Sequence, residues 1–97
     1  FSYSRELADA SGFGAYYLGH GSHKVSFLGH GIGVELSELP FLAPRHDYPL
    51  VDGMTLAIEP KMVFPGKGAT GIENTVVFEK GRYRVLSNVD ERITIVD

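Results

Sequence analysis

A chain of 97 residues, 43% of them apolar, makes one domain at most and buries only about 60–65% of its extended surface, so its core is modest. Nine Lys and Arg against twelve Asp and Glu give a formal net charge of −3, and the bases are scattered, which leaves no stripe for a phosphate backbone and argues against nucleic acid. The absence of cysteine excludes disulfides and thiolate zinc sites, leaves His, Asp and Glu as the strong metal ligands, and is compatible with a reducing, cytoplasmic setting.

No stretch reads as a signal peptide or a membrane span. The chain starts at Phe1 rather than Met, so a polypeptide continuing upstream is expected. In Phe1–Ser11, Tyr3, Leu7 and Ala10 fall at helical spacing and Gly12 stands where a C-terminal cap belongs, which predicts the last turns of a helix beginning before Phe1. Gly12–His23 is rich in glycine and aromatics with neither period, an irregular crossing. Lys24–Leu28 alternates and is expected to be a short strand running into Gly29-His30-Gly31-Ile32-Gly33. Glycines around one imidazole allow close backbone approach, so His30 either faces a cavity or is a hydrogen-bonded structural residue.

Val34–Pro40 follows, with Glu35 and Glu38 most simply solvated. Phe41–Asp52, with Pro44 and Pro49, reads as an extended surface connection carrying a surface His46. Met54–Phe64 and Gly71–Phe78 are apolar, β-branched runs flanking Pro65-Gly66-Lys67-Gly68, two strands of a hairpin. Centring it on Gly66 pairs residues whose numbers total 132 and sets Glu59 against Glu73. Opposed like charges between apolar neighbours are costly, so a positive partner is expected. A divalent cation is the simplest. One glutamate paired with Lys or Arg, or a bulge at Pro60 turning Glu59 to solvent, would also relieve the conflict. Arg82–Leu86 is expected to form a further strand beyond the Lys80-Gly81 turn, and Ile93–Val96 a tail able to pair with an edge. The fold class is α+β, dominated by antiparallel strands.

His30, Glu59 and Glu73 together make one nitrogen and two carboxylate donors, suited to Mn, Co, Fe or Zn ions rather than to calcium. In order and spacing, FLGHGIGVELSELPFLAP, GMTLAIEPKMVFPGKG and GIENTVVFEKG resemble the C-terminal half of metallopeptidases with the pita-bread fold. That group holds methionine aminopeptidase, aminopeptidase P, Xaa-Pro dipeptidase (prolidase) and creatinase. The resemblance implies that residues 1–97 are the C-terminal portion of one catalytic domain, a curved antiparallel sheet with a flanking helix.

It further implies that His30, Glu59 and Glu73 are metal ligands, with Glu59 also a proton carrier and Glu73 bridging two divalent metal ions. The implied reaction is attack by a metal-bound hydroxide on the N-terminal peptide bond of a peptide. Three departures stand out. The family's two aspartate ligands lie in an upstream segment that this chain lacks, so the chain alone is expected to be inactive. Ser37, at the position where many members carry a substrate-contacting histidine, donates a hydrogen bond but cannot become a cation. Gly71-Ile72-Glu73-Asn74 stands where prolidases commonly read Arg-Ile-Glu-Asp, which weakens strict Xaa-Pro specificity. The alternative is a pita-bread module that binds peptides or proteins without catalysis. A half-domain exposes the face that its other half covers, so self-association, for instance as a homodimer, is expected.

Overall fold

The computed structural model describes residues 1–96. Helix α1 spans Ser2–Ala10, with the Ser4 hydroxyl donating to the Phe1 carbonyl at 2.7 Å. It stops as the glycine predicts. Gly12 adopts φ +82°, and the amides of Gly12 and Phe13 donate to the carbonyls of Asp9 and Ala8, the paired bonds that close a helix through a left-handed residue. The helix buries Ala8, which packs with Tyr17 and Leu18 and with the partly buried Phe1, Val25, Leu28 and Met62.

Seven strands follow: β1 Gly29–Gly31, β2 Glu38–Phe41, β3 Thr55–Ile58, β4 Lys61–Phe64, β5 Gly68–Gly71, β6 Asn74–Glu79 and β7 Arg82–Val85. They form a five-stranded sheet in the order β2-β1-β3-β6-β7 and a two-stranded sheet of β4 and β5, every pairing antiparallel. The core of the larger sheet is Leu56, Ala57 and Val76, and Leu56 lies directly opposite Val76.

Paired residue numbers total 132 through both halves of the predicted hairpin, from Thr55 with Val77 to Phe64 with Gly68. The ladder is nevertheless broken in its middle. Pro60 has no N–H to give on the β6 side, while the Glu59 amide faces β1 and donates to the Leu28 carbonyl at 2.9 Å, continuing the β1–β3 register. Beyond the break the Ile72 amide returns to the Pro60 carbonyl at 3.2 Å, so one predicted hairpin serves two sheets.

Lys24–Leu28 is not a strand; the strand is the glycine run itself. β1 lies between β2 and β3, and a Cβ at Gly29 would collide with the Ala57 carbonyl oxygen, one at Gly31 with those of Leu39 and Glu38. Only glycine lets three backbones approach so closely. The irregular crossing of 12–23 contains a short 3₁₀ turn, Gly21–His23, and an isolated bridge from Tyr17 to Met62. There the Leu18 amide donates to the Lys61 carbonyl at 2.8 Å and the Val63 amide to the Tyr16 carbonyl at 3.0 Å, which binds the crossing to β4.

The turn from β6 to β7 has Lys80 at φ +54° and Gly81 at φ +69°, the two left-handed positions of a tight hairpin turn. Asp52 clasps it, its carboxylate accepting from the Lys80 amide at 2.6 Å and the Gly81 amide at 3.0 Å. Ile93–Val96 forms no strand, contrary to expectation. Asn74 Nδ2 donates to Glu91 Oε1 at 2.7 Å and draws the tail toward Met62 and Ile72 rather than along β7, leaving Ile93, Ile95 and Val96 exposed. No helix among the described residues is long and apolar enough to cross a membrane.

Leu56 is fully buried, so Leu56→Ala should lower stability by about 2–5 kcal/mol in urea denaturation. A loss under about 1 kcal/mol would place the core elsewhere.

Candidate functional site

His30 is the middle residue of β1, opposite Ala57 of β3 and Phe41 of β2, and is buried at 8% exposure. The Phe27 ring meets its imidazole edge-on at 6.2 Å. Its Nδ1 lies 3.0 Å from the Gly31 carbonyl oxygen, which can only accept. That contact puts a proton on Nδ1; in the neutral ring Nε2 then carries a lone pair, and Nε2 lies 3.6 Å from Glu59 Oε1.

Glu59 owes its place to the β1–β3 ladder, whose register it continues. It is the first residue past β3, anchored through its own amide to Leu28, the residue just before β1. Its second oxygen, Oε2, accepts from Lys61 Nζ at 2.9 Å. Glu59 and Lys61 are two apart on an extended chain, so their side chains emerge on one face.

The positive partner predicted for Glu59 is therefore Lys61 in this structure. Its side chain, 21% exposed, is not turned to solvent by the break at Pro60. Glu73 lines the same cleft as Glu59, together with Pro60, Lys61, Thr70 and Gly71, but it is exposed, so the expected desolvation between apolar neighbours does not apply to it. Among the described residues no group of three or more His, Asp and Glu converges closely enough to hold a metal ion. The structure brings His30 and Glu59 within 3.6 Å and sets Glu73, exposed, on the wall of the same cleft as Glu59. Ser37 sits in the exposed bend between β1 and β2 and is not part of the cleft.

The donor chemistry of the His30–Glu59 pair fits a divalent cation. In the neutral ring protonated at Nδ1, Nε2 and the carboxylate oxygen 3.6 Å away both present lone pairs. Two donors each about 2.1 Å from a tetrahedral ion lie about 3.4 Å apart, close to the observed gap. Lys61 is the residue that motif reading passed over, although its position two after Glu59 carried the signal.

The antiparallel sheet with its one helix matches the C-terminal part of the pita-bread fold. Residues 2–80 match the Metallopeptidase family M24, and the chain belongs to that family. An X-Pro aminopeptidase from Thermotoga maritima superposes with a TM-score of 0.84 at 30% identity, over 98% of this chain and 25% of that one. A dipeptidase from Pyrococcus horikoshii superposes at 0.79 with 32% identity, over 92% of this chain and 23% of its own. An Xaa-Pro dipeptidase from Lactobacillus helveticus is 30% identical over 95 residues, 98% of this chain and 24% of that protein. The chain thus spans about a quarter of the length of the curated relatives it matches.

Nitrogen-edited NMR of the metal-free protein in alkaline buffer, where imidazoles are neutral, should show His30 as the Nδ1–H tautomer. An Nε2–H signal would overturn the assignment of the lone pair.

Proposed function

We propose that the chain is the C-terminal portion of the catalytic domain of a metal-dependent exopeptidase that removes N-terminal residues from peptides, with Xaa-Pro dipeptides and Xaa-Pro N-termini as the substrate class. The observation that carries this reading is His30 Nε2 set 3.6 Å from Glu59 Oε1, within a family M24 fold.

In this reading His30, Glu59 and Glu73 are ligands of a site for two divalent ions (Mn, Co, Zn or Fe) that is completed by two aspartates from polypeptide beyond these residues. When bound, the ions polarise the scissile carbonyl and lower the pKa of water from about 15.7 toward 7. The Gly31 carbonyl holds the His30 ring in the tautomer that presents Nε2. Glu59 takes the proton released by the attacking water on its carboxylate and returns it to the leaving amine. Ser37 offers the substrate one hydrogen bond, without the positive charge a histidine brings there. Xaa-Pro preference is correspondingly looser, because Gly71 and Asn74 stand where prolidases commonly carry arginine and aspartate.

The partners are the peptide substrate and the remainder of the same catalytic domain. The 97 residues alone are inactive in this scheme, and a cytoplasmic setting suits it. A second reading, a non-catalytic peptide-binding module, draws on the exposure of Glu73.

The full-length polypeptide charged with Mn²⁺ should hydrolyse Xaa-Pro dipeptides, and EDTA should abolish turnover. Glu73→Gln should lower kcat by at least about a hundredfold with an unchanged circular dichroism spectrum. Full activity in that variant would overturn the ligand assignment. Peptide binding without cleavage, unchanged in EDTA, would establish the binding module instead.

A further inference from the structure

The ammonium of Lys61 occupies one oxygen of Glu59 while the other faces His30, and this division is built into the backbone. Lys61 opens β4 and pairs across the ladder with Gly71. Gly71 has no side chain, and a Cβ there would come within 2.9 Å of Lys61 Cβ and 2.8 Å of the Pro60 carbonyl oxygen. The Lys61 carbonyl is held on its other side by the Leu18 amide at 2.8 Å. The side chain, 34% exposed, therefore leaves a fixed point and reaches Oε2 of Glu59 at 2.9 Å. Among the described residues it is the one Lys or Arg within ion-pair distance of the His30–Glu59 pair.

We propose that Lys61 is a built-in counter-cation: it positions the Glu59 carboxylate with Oε1 toward His30 and competes electrostatically with any divalent ion that the pair takes up. The inference rests on the reading of His30 and Glu59 as metal ligands. Without the ion, Lys61 neutralises a half-buried carboxylate whose unpaired charge would destabilise the sheet break. With the ion, the same ammonium repels it. Lys61 is a positioning residue, since it acts through Glu59 and not on the substrate. A lysine with a merely structural role would weaken ion binding and stability together when removed. A counter-cation moves them in opposite directions.

The test is isothermal titration of the metal-free full-length polypeptide with Mn²⁺, paired with melting curves in EDTA. Lys61→Gln should bind Mn²⁺ at least about tenfold more tightly than the native protein, the lower bound for removing a unit charge about 5 Å from a dication even with full water screening. In EDTA the same variant should melt at a lower temperature. Lys61→Arg keeps the charge, should bind within about threefold of native, and carries the test if the glutamine variant does not fold. Unchanged or weaker binding by Lys61→Gln, an undiminished melting temperature in EDTA, or a tenfold change in Lys61→Arg would overturn the inference. Native protein that binds no Mn²⁺ would overturn the metal reading itself, and the inference with it.

Discussion

The β1–β3 ladder is the constraint from which the arrangement around the site follows. On β3 the odd-numbered residues turn their amides and carbonyls to β1 and the even-numbered ones to β6. The Glu59 amide therefore donates to Leu28, immediately before β1, and this bond ties the end of β3 to the strand that carries His30. Pro60, the next residue, has no N–H to give on the β6 side, so the hairpin ladder lapses beside a carboxylate and an imidazole that stand within 3.6 Å.

The close approach of backbones around His30 is the second half of the same device. Gly29 and Gly31 let β1 enter between β2 and β3 where any side chain would strike a carbonyl oxygen, so the only side chain of that strand is the imidazole. Burial of the ring then needs compensation for its polar atoms, which the Gly31 carbonyl provides at Nδ1 and Glu59 faces at Nε2. Glu59 in turn is neutralised through its second oxygen by Lys61. Rigid placement and charge balance are therefore supplied by neighbours two residues or one strand away.

The apolar surface tells a complementary story. Leu56 is the one large side chain fully buried among the described residues, while Val34, Leu36, Ile93, Ile95 and Val96 are largely exposed. The buried hydroxyl of Tyr17 has no hydrogen-bond partner among the described residues, beside an apolar groove lined by Leu7, Leu28, Ile58 and Met62. Leu56, Ala57 and Val76 are buried in the larger sheet, and Ala8, Tyr17 and Leu18 form a second cluster against α1.

Local patterns determined most of the architecture. The spacing of Leu7 and Ala10 with Gly12, the β-branched runs around Pro65–Gly68 and the Lys80-Gly81 turn place α1, both ladders of the hairpin and β7, because helix caps, turns and strand period are decided within a few residues. GHGIG, IEP and IEN likewise marked His30, Glu59 and Glu73. What only the tertiary structure decided depends on distant backbone. β1 became the glycine run rather than Lys24–Leu28 because its partners, Ala57 and Leu39, are far along the chain. The Ile93–Val96 tail left the edge because Asn74 holds Glu91. Glu59 faces Lys61 and His30 while Glu73 stays in solvent, because electrostatic pairing depends on where three separate segments meet and not on the spacing of any one of them.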